Sequence, residues 1–129
     1  MRVTVDIETA LYNLLAAEGY SASAHALPAS LGTYLPHIHV ERTGGSVNDL
    51  VIETNQVDFD VYAADTADAM TAATNLCAWA RKLTQIDTPC YSAEVSTLPY
   101  NNPDPRHPTL GRVTFKCQFL TRTKGALNA

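Results

Sequence analysis

His37-Ile38-His39 places two imidazoles on one face of a strand, which is half of a tetrahedral metal site. With His107 or Glu41 as a third ligand, a small metal-dependent enzyme could be drawn. Two-residue spacing arises in any alternating strand, however, so the simpler expectation is a pair of solvent-facing or interface histidines. Asp58 and Asp60 repeat the pattern with carboxylates, the groups that do general acid–base work. They alternate with Val57, Phe59 and Val61, which makes them the polar face of a half-buried strand. Cys77, Cys90 and Cys117 are odd in number, widely spaced and without a CxxC pair, so reduced, buried thiols are expected. Gly44-Gly45 opens neither GxxxxGK[ST] nor GxGxxG and reads as a turn. Asn101 and Asn102 stand apart from any serine or histidine in a catalytic setting. The residues therefore point to a protein that is not an enzyme, with no cofactor and no metal.

Those side chains need elements to hold them. From Asp6 to Glu18 the residues Ile7, Leu11, Leu14 and Leu15 recur at helical spacing, with Thr4 or Asp6 as cap and Gly19 as stop. Residues Tyr20 to Pro36 show neither periodicity and read as an ordered loop pinned by Leu27, Leu31 and Leu35. A first strand runs about His37 to Thr43, broken by the glycine pair. A second runs from Val57 to Ala63. Leu50 and Ile52 have the opposite parity, which implies a bulge or a separate short strand.

The second helix begins at Asp65 or Thr66 and reaches Leu83, on a stripe of Met70, Ala73, Leu76, Cys77, Ala80 and Leu83. Trp79 reads as core or interface filler. After a turn at Asp87 to Pro89, a third strand covers about Cys90 to Leu98 and a fourth about Arg112 to Arg122. Between them, Pro99 to Gly111 carries four prolines in thirteen residues and should be stiff and unpaired. The fold expected is a single α+β domain over residues 1–129, in the order α-β-β-α-β-β. Its four-stranded sheet would carry two helices packed on one face.

The 129 residues suffice for one core, and 46% hydrophobic against 17% charged residues is a globular composition. Asp6 and Glu8 argue against a leader peptide, and no apolar run approaches the roughly 20 residues of a membrane span, so a cytoplasmic chain with no membrane partner is expected. Residues 99–129 hold Arg106, Arg112, Lys116, Arg122 and Lys124 against Asp104 alone, in a chain of net charge −4. A nucleic-acid binder is one reading of that asymmetry, but stacking aromatics do not interleave the basic residues. Pairing is the better expectation: Arg112, Lys116 and Arg122 meet Asp58, Asp60 or Glu94, within a subunit or across a boundary. Tyr34, Tyr91 and Tyr100 near element ends favour protein–protein contact.

The segments DIETALYNLLAA, LPHIHVERTGG, VDFDVYAADTADAMTAATNLCAWARKL and LPYNNPDPRHPTLGRVTFKCQFLTR, in this order, resemble the tail terminator (tail-completion) proteins of long-tailed bacteriophages. The likeness spans roughly residues 5 to 122. The Tyr20–Pro36 loop and RHPTLG have no counterpart in the family pattern. The resemblance implies a homo-hexameric ring that caps the tail tube, stops its polymerisation and joins the tail to the head connector. Its partners would be further copies of itself, the tail tube protein and a head–tail connector or neck protein, with DNA only as passing cargo in the lumen. The ring would sit in the tail or neck of the virion after synthesis in the host bacterial cytoplasm. A head–tail connector or stopper is the neighbouring alternative. Polar loops on a rigid sheet carry recognition, here Thr43 to Gln56 and Pro99 to Gly111, which selects Arg42, Asp49 and Glu53 at the first loop. Tyr100, Asn102, Asp104, Arg106 and His107 are selected in the other, with Arg112, Lys116 and Arg122 behind them.

Overall fold

The computed structural model describes residues 2–49, 51–85 and 89–125. Asp6 caps α1 (Ile7–Ala17) by accepting the Thr9 amide at 3.2 Å, and Gly19, at φ +90°, ends it. Ile7, Leu11 and Leu15 form its buried stripe. Asp65 caps α2 (Thr66–Arg81) by accepting the Asp68 amide at 2.8 Å, and Arg81 sits in the last turn, where the helix dipole favours a cation. Ala69, Ala73, Leu76, Cys77 and Ala80 face the sheet, and a 3-10 turn at Leu83–Gln85 buries Leu83 beyond the helix end.

The remaining elements are β1 (Arg2–Val3), β2 (Ser21–Ala24), β3 (His37–Val47), β4 (Ile52–Ala63), β5 (Cys90–Asn101), β6 (Gly111–Arg122) and β7 (Lys124–Gly125). Five of them form one mixed sheet in the order β2-β3-β4-β6-β5, and β1 pairs separately with β7. Only β2–β3 is parallel; the other pairs of the large sheet are antiparallel. Both helices contribute to one apolar core, α1 over β2 and β3, α2 over β4, β5 and β6. At its centre the ring of Phe59 stacks on its cross-strand partner Phe115 at 4.7 Å.

The expectation of a four-stranded sheet in the order α-β-β-α-β-β is corrected here. The chain enters on β1 and closes on β7, and the segment read as loop contains β2. Ser21-Ala22-Ser23-Ala24 has only small residues and no apolar alternation, so it owes its strand state to pairing with His37–Val40. Further corrections concern boundaries. The glycine pair does not end β3, which continues to Val47 with its register shift between Arg42 and Gly44. The β4–β6 register runs without a break from Ile52 to Ala63, so the parity change reflects polar Glu53 and Asn55 on the inner face rather than a bulge in β4. The Thr43–Gln56 segment is thus mostly a paired arm. Likewise Tyr100 and Asn101 pair with β6, and Pro99 lies within an edge strand, where a missing donor is tolerated. Leu50, Asp87 and Thr88 of the sequence reading lie outside the described residues. No helix among the described residues is long and apolar enough to cross a membrane.

Candidate functional site

The closing loop is built around one carboxylate. Asp104 is 3% exposed and accepts the Tyr62 hydroxyl at 2.8 Å, the Arg106 amide at 3.0 Å and His107 Nδ1 at 3.1 Å. The Arg112 guanidinium stands 3.7 Å from the same carboxylate. Burial alone would raise the Asp104 carboxyl, but the Arg106 amide, the Tyr62 hydroxyl, His107 and Arg112 together hold it well below the usual carboxylate range. Burial, partly opposed by Arg112, pushes the Tyr62 hydroxyl up to about 12, so it stays protonated and donates.

Arg112 reaches this point because the register sets it opposite Tyr62 on the outer sheet face. Its Nε donates to the Asn102 carbonyl and a terminal nitrogen donates to Pro103 at 3.2 Å. It also lies 5.9 Å from the Tyr62 ring centroid, within cation–π range. Asn102 donates to Thr114 Oγ1 at 3.1 Å, and Thr114 donates to Asp60 at 2.7 Å. The loop is therefore bolted onto the outer face of β4 and β6 by charge-assisted bonds. Its only strongly exposed charged member is Arg106, whose side chain is 75% exposed.

The structure brings Asn102, Asp104, Arg106, His107 and Arg112 into one cluster and leaves the other predicted contact residues apart. Lys116 pairs with Asp58 at 3.7 Å across β4–β6, one of the pairings expected from sequence. Arg112 takes Asp104 as its ion-pair partner instead, and exposed Arg122 lies opposite Ile52. Tyr100 sits on the β5 edge, opposite Thr114. Asp49 accepts the Val51 and Ile52 amides at 2.8 Å each, so it shapes the β3–β4 turn. Glu53 is buried, and half-buried Arg42 donates to the Val5 carbonyl at 2.6 Å. Tyr62 was missed by sequence reasoning. It shares the parity of Asp58 and Asp60, and that was the available signal.

His37 and His39 are corrected from solvent-facing to buried. Ser21 Oγ meets His37 Nδ1 at 2.8 Å, His37 Nε2 meets Ser23 Oγ at 2.8 Å, and Ser23 Oγ meets His39 Nδ1 at 2.7 Å. One hydroxyl can donate to one ring and accept from the other, so the array is satisfied with both rings neutral. Burial lowers the pKa of both histidines, reinforced at His37 by His39. The array seams β2 to β3. Among the described residues no three His, Cys, Asp or Glu side chains converge to hold a metal. Cys77, Cys90 and Cys117 are buried; burial pushes the Cys117 thiol up to about 12, far from nucleophilic.

Among the described residues strand β5 borders the sheet with its outer side unpaired and carries three exposed apolar side chains, Leu98 at 70%, Tyr91 at 44% and Tyr100 at 37%, while Val47 and Tyr34 are exposed elsewhere. No protein-family profile matches the sequence, and no curated protein matches it. The resemblance to tail terminators thus rests on the order and composition of segments alone.

Proposed function

We infer that the protein is a phage structural protein of the tail-terminator type. It caps the tail tube as a homo-hexameric ring, stops tube polymerisation and presents a surface to the head connector, with no chemistry of its own. The observation that supports this best is the twelve-residue β5 edge with its three exposed apolar side chains beside a loop clamped by Asp104. An unpaired edge of this kind invites a neighbouring chain, and a ring closes when such contacts are heterologous. Most of the polar side chains that would otherwise suggest catalysis are bonded to one another within the fold.

Light scattering on the purified protein, alone and with tail-tube protein, followed by electron microscopy of assembled tubes, tests the assignment. A terminator binds tube ends and shortens the tubes. Binding to a connector protein without either effect would transfer the chain to the neighbouring neck role, and failure to bind any of these partners would overturn both.

A further inference from the structure

The serine–histidine array that joins β2 to β3 leaves one ring nitrogen over. His39 is 8% exposed, and its Nδ1 is taken by Ser23 Oγ at 2.7 Å. The ring lines an open cleft on the outer sheet face, bounded by residues 25–27 and by Arg106. With Nδ1 tied towards β2, Nε2 is the nitrogen left to the cleft, and it has no hydrogen-bond partner among the described residues. The register places Asp60 directly opposite His39, and Glu41 follows two residues along β3 on the same face. Facing Cβ atoms lie about 4.5–5.5 Å apart in such a pair, and alternate residues of one strand about 6.5–7 Å apart. Both carboxylates act electrostatically on the imidazole. One Asp60 oxygen accepts the Thr114 hydroxyl at 2.7 Å; its other oxygen and Glu41 meet no donor among the described residues. These atoms are within reach of solvent, since the unpaired polar side-chain atoms sealed away among the described residues belong to Arg42, Glu53 and Asp58. The two cations that line the cleft, Arg106 and Arg112, are engaged by Asp104.

Burial lowers the pKa of His39 despite the nearby carboxylates, which keeps the ring neutral at neutral pH. A neutral ring that donates Nδ1–H to Ser23 presents Nε2 as an acceptor. Three acceptors therefore line the cleft, two of them carboxylates. Their spacing selects the class of cation. A metal ion needs its ligands within roughly 2.0–2.6 Å of one point, and no three His, Cys, Asp or Glu side chains among the described residues converge in that way. An ammonium also concentrates its donors on one nitrogen, whereas a guanidinium spreads five N–H donors over a planar fork. We propose that the cleft is a binding site for a guanidinium group, its fork on the Asp60 carboxylate and its remaining donors on His39 Nε2 and Glu41. An arginine side chain and a free alkylguanidine both carry that group. Binding belongs to the single subunit, so neither outcome below bears on the tail-terminator reading.

The test is an amide-shift titration of labelled protein, at neutral pH and constant low ionic strength, with methylguanidinium and with N-acetylarginine methylamide. Methylammonium and magnesium serve as controls. Saturable shifts at His39, Glu41 and Asp60 are expected, with both controls about tenfold weaker or worse. The tighter of the two guanidinium compounds tells a peptide-borne ligand from a free one. Asp60→Asn keeps an acceptor for Thr114 and should weaken binding by about tenfold. Glu41→Gln, at an exposed side chain, should weaken it by about threefold or more, and it carries the test should Asp60→Asn unfold. The proposal is overturned by absence of saturation with both guanidinium compounds, by shifts that map elsewhere, by a control that binds as well, or by unchanged affinity in a folded variant.

Discussion

Asp104 and Arg106 are neighbours in one loop with opposite importance for stability. Asp104→Asn removes the buried charge that Arg112 and His107 face and leaves the half-buried Arg112 guanidinium less well paired, a loss of about 1–3 kcal/mol. Arg106→Ala, at a largely exposed side chain, should stay within about 0.5 kcal/mol. Urea unfolding of both variants at neutral pH gives the comparison, and equal losses would remove Asp104 from its central place. The histidines set a pH dependence of definite sign. Their folded pKa values lie below the usual 6.5, so the unfolded chain takes up protons first. Stability is therefore complete above about pH 6.5 and falls as the pH drops below it. Asp104, whose folded pKa is also lowered, adds a second loss below about pH 4–5. The urea midpoint should decline from pH 7 to pH 5.5, and that decline should vanish in a folded His37→Gln, His39→Gln double variant. The imidazoles were visible in the sequence, but their burial was not, because the serines that cover them belong to a strand with no apolar pattern.

At the scale of elements, the helices were the legible part. Each has a capping aspartate and an apolar stripe, signals that lie within one stretch of chain. Strands β4 and β6 were legible at their apolar centres, and the extension of β4 back to Ile52 was hidden by inward Glu53 and Asn55. Sheet membership of β2 and the last residues of β5 depends on partners far along the chain, which local periodicity does not record. One joint shows how tightly these elements meet. A Cβ placed on Gly111 would lie 2.3 Å from the Asp65 carbonyl carbon, where β6 passes the start of α2. Gly111→Ala should force that crossing apart and lose about 1–3 kcal/mol. Gly32→Ala meets nothing within 4 Å and should change stability by less than about 0.5 kcal/mol. Thermal unfolding of the pair separates a steric effect at the crossing from a general cost of losing glycine.

For the whole molecule, the proposed ring needs an attachment point for a second copy, and the sheet order offers two edges among the described residues. β2 is a short edge of four residues, whereas β5 offers twelve, and α2 together with the helix-side core closes one face of the sheet behind it. The acidic and basic outer-face residues Asp58 and Lys116 are already paired within the subunit, so charge alone leaves little to drive association through the middle of that face. On the proposed ring, the exposed apolar side chains of β5, set along the longer edge, are the drive this reading selects over Val47 and Tyr34 elsewhere. Leu98→Lys, at a site 70% exposed, should leave the unfolding midpoint of the isolated subunit within about 0.5 kcal/mol of the parent and yet abolish ring formation. Lys116→Ala, which removes an intrasubunit pair with a 41% exposed side chain, should leave assembly intact. Light scattering on both variants distinguishes an edge-built ring from one built across the sheet face: rings that survive Leu98→Lys and fail in Lys116→Ala would place the contact on the face and reject the edge.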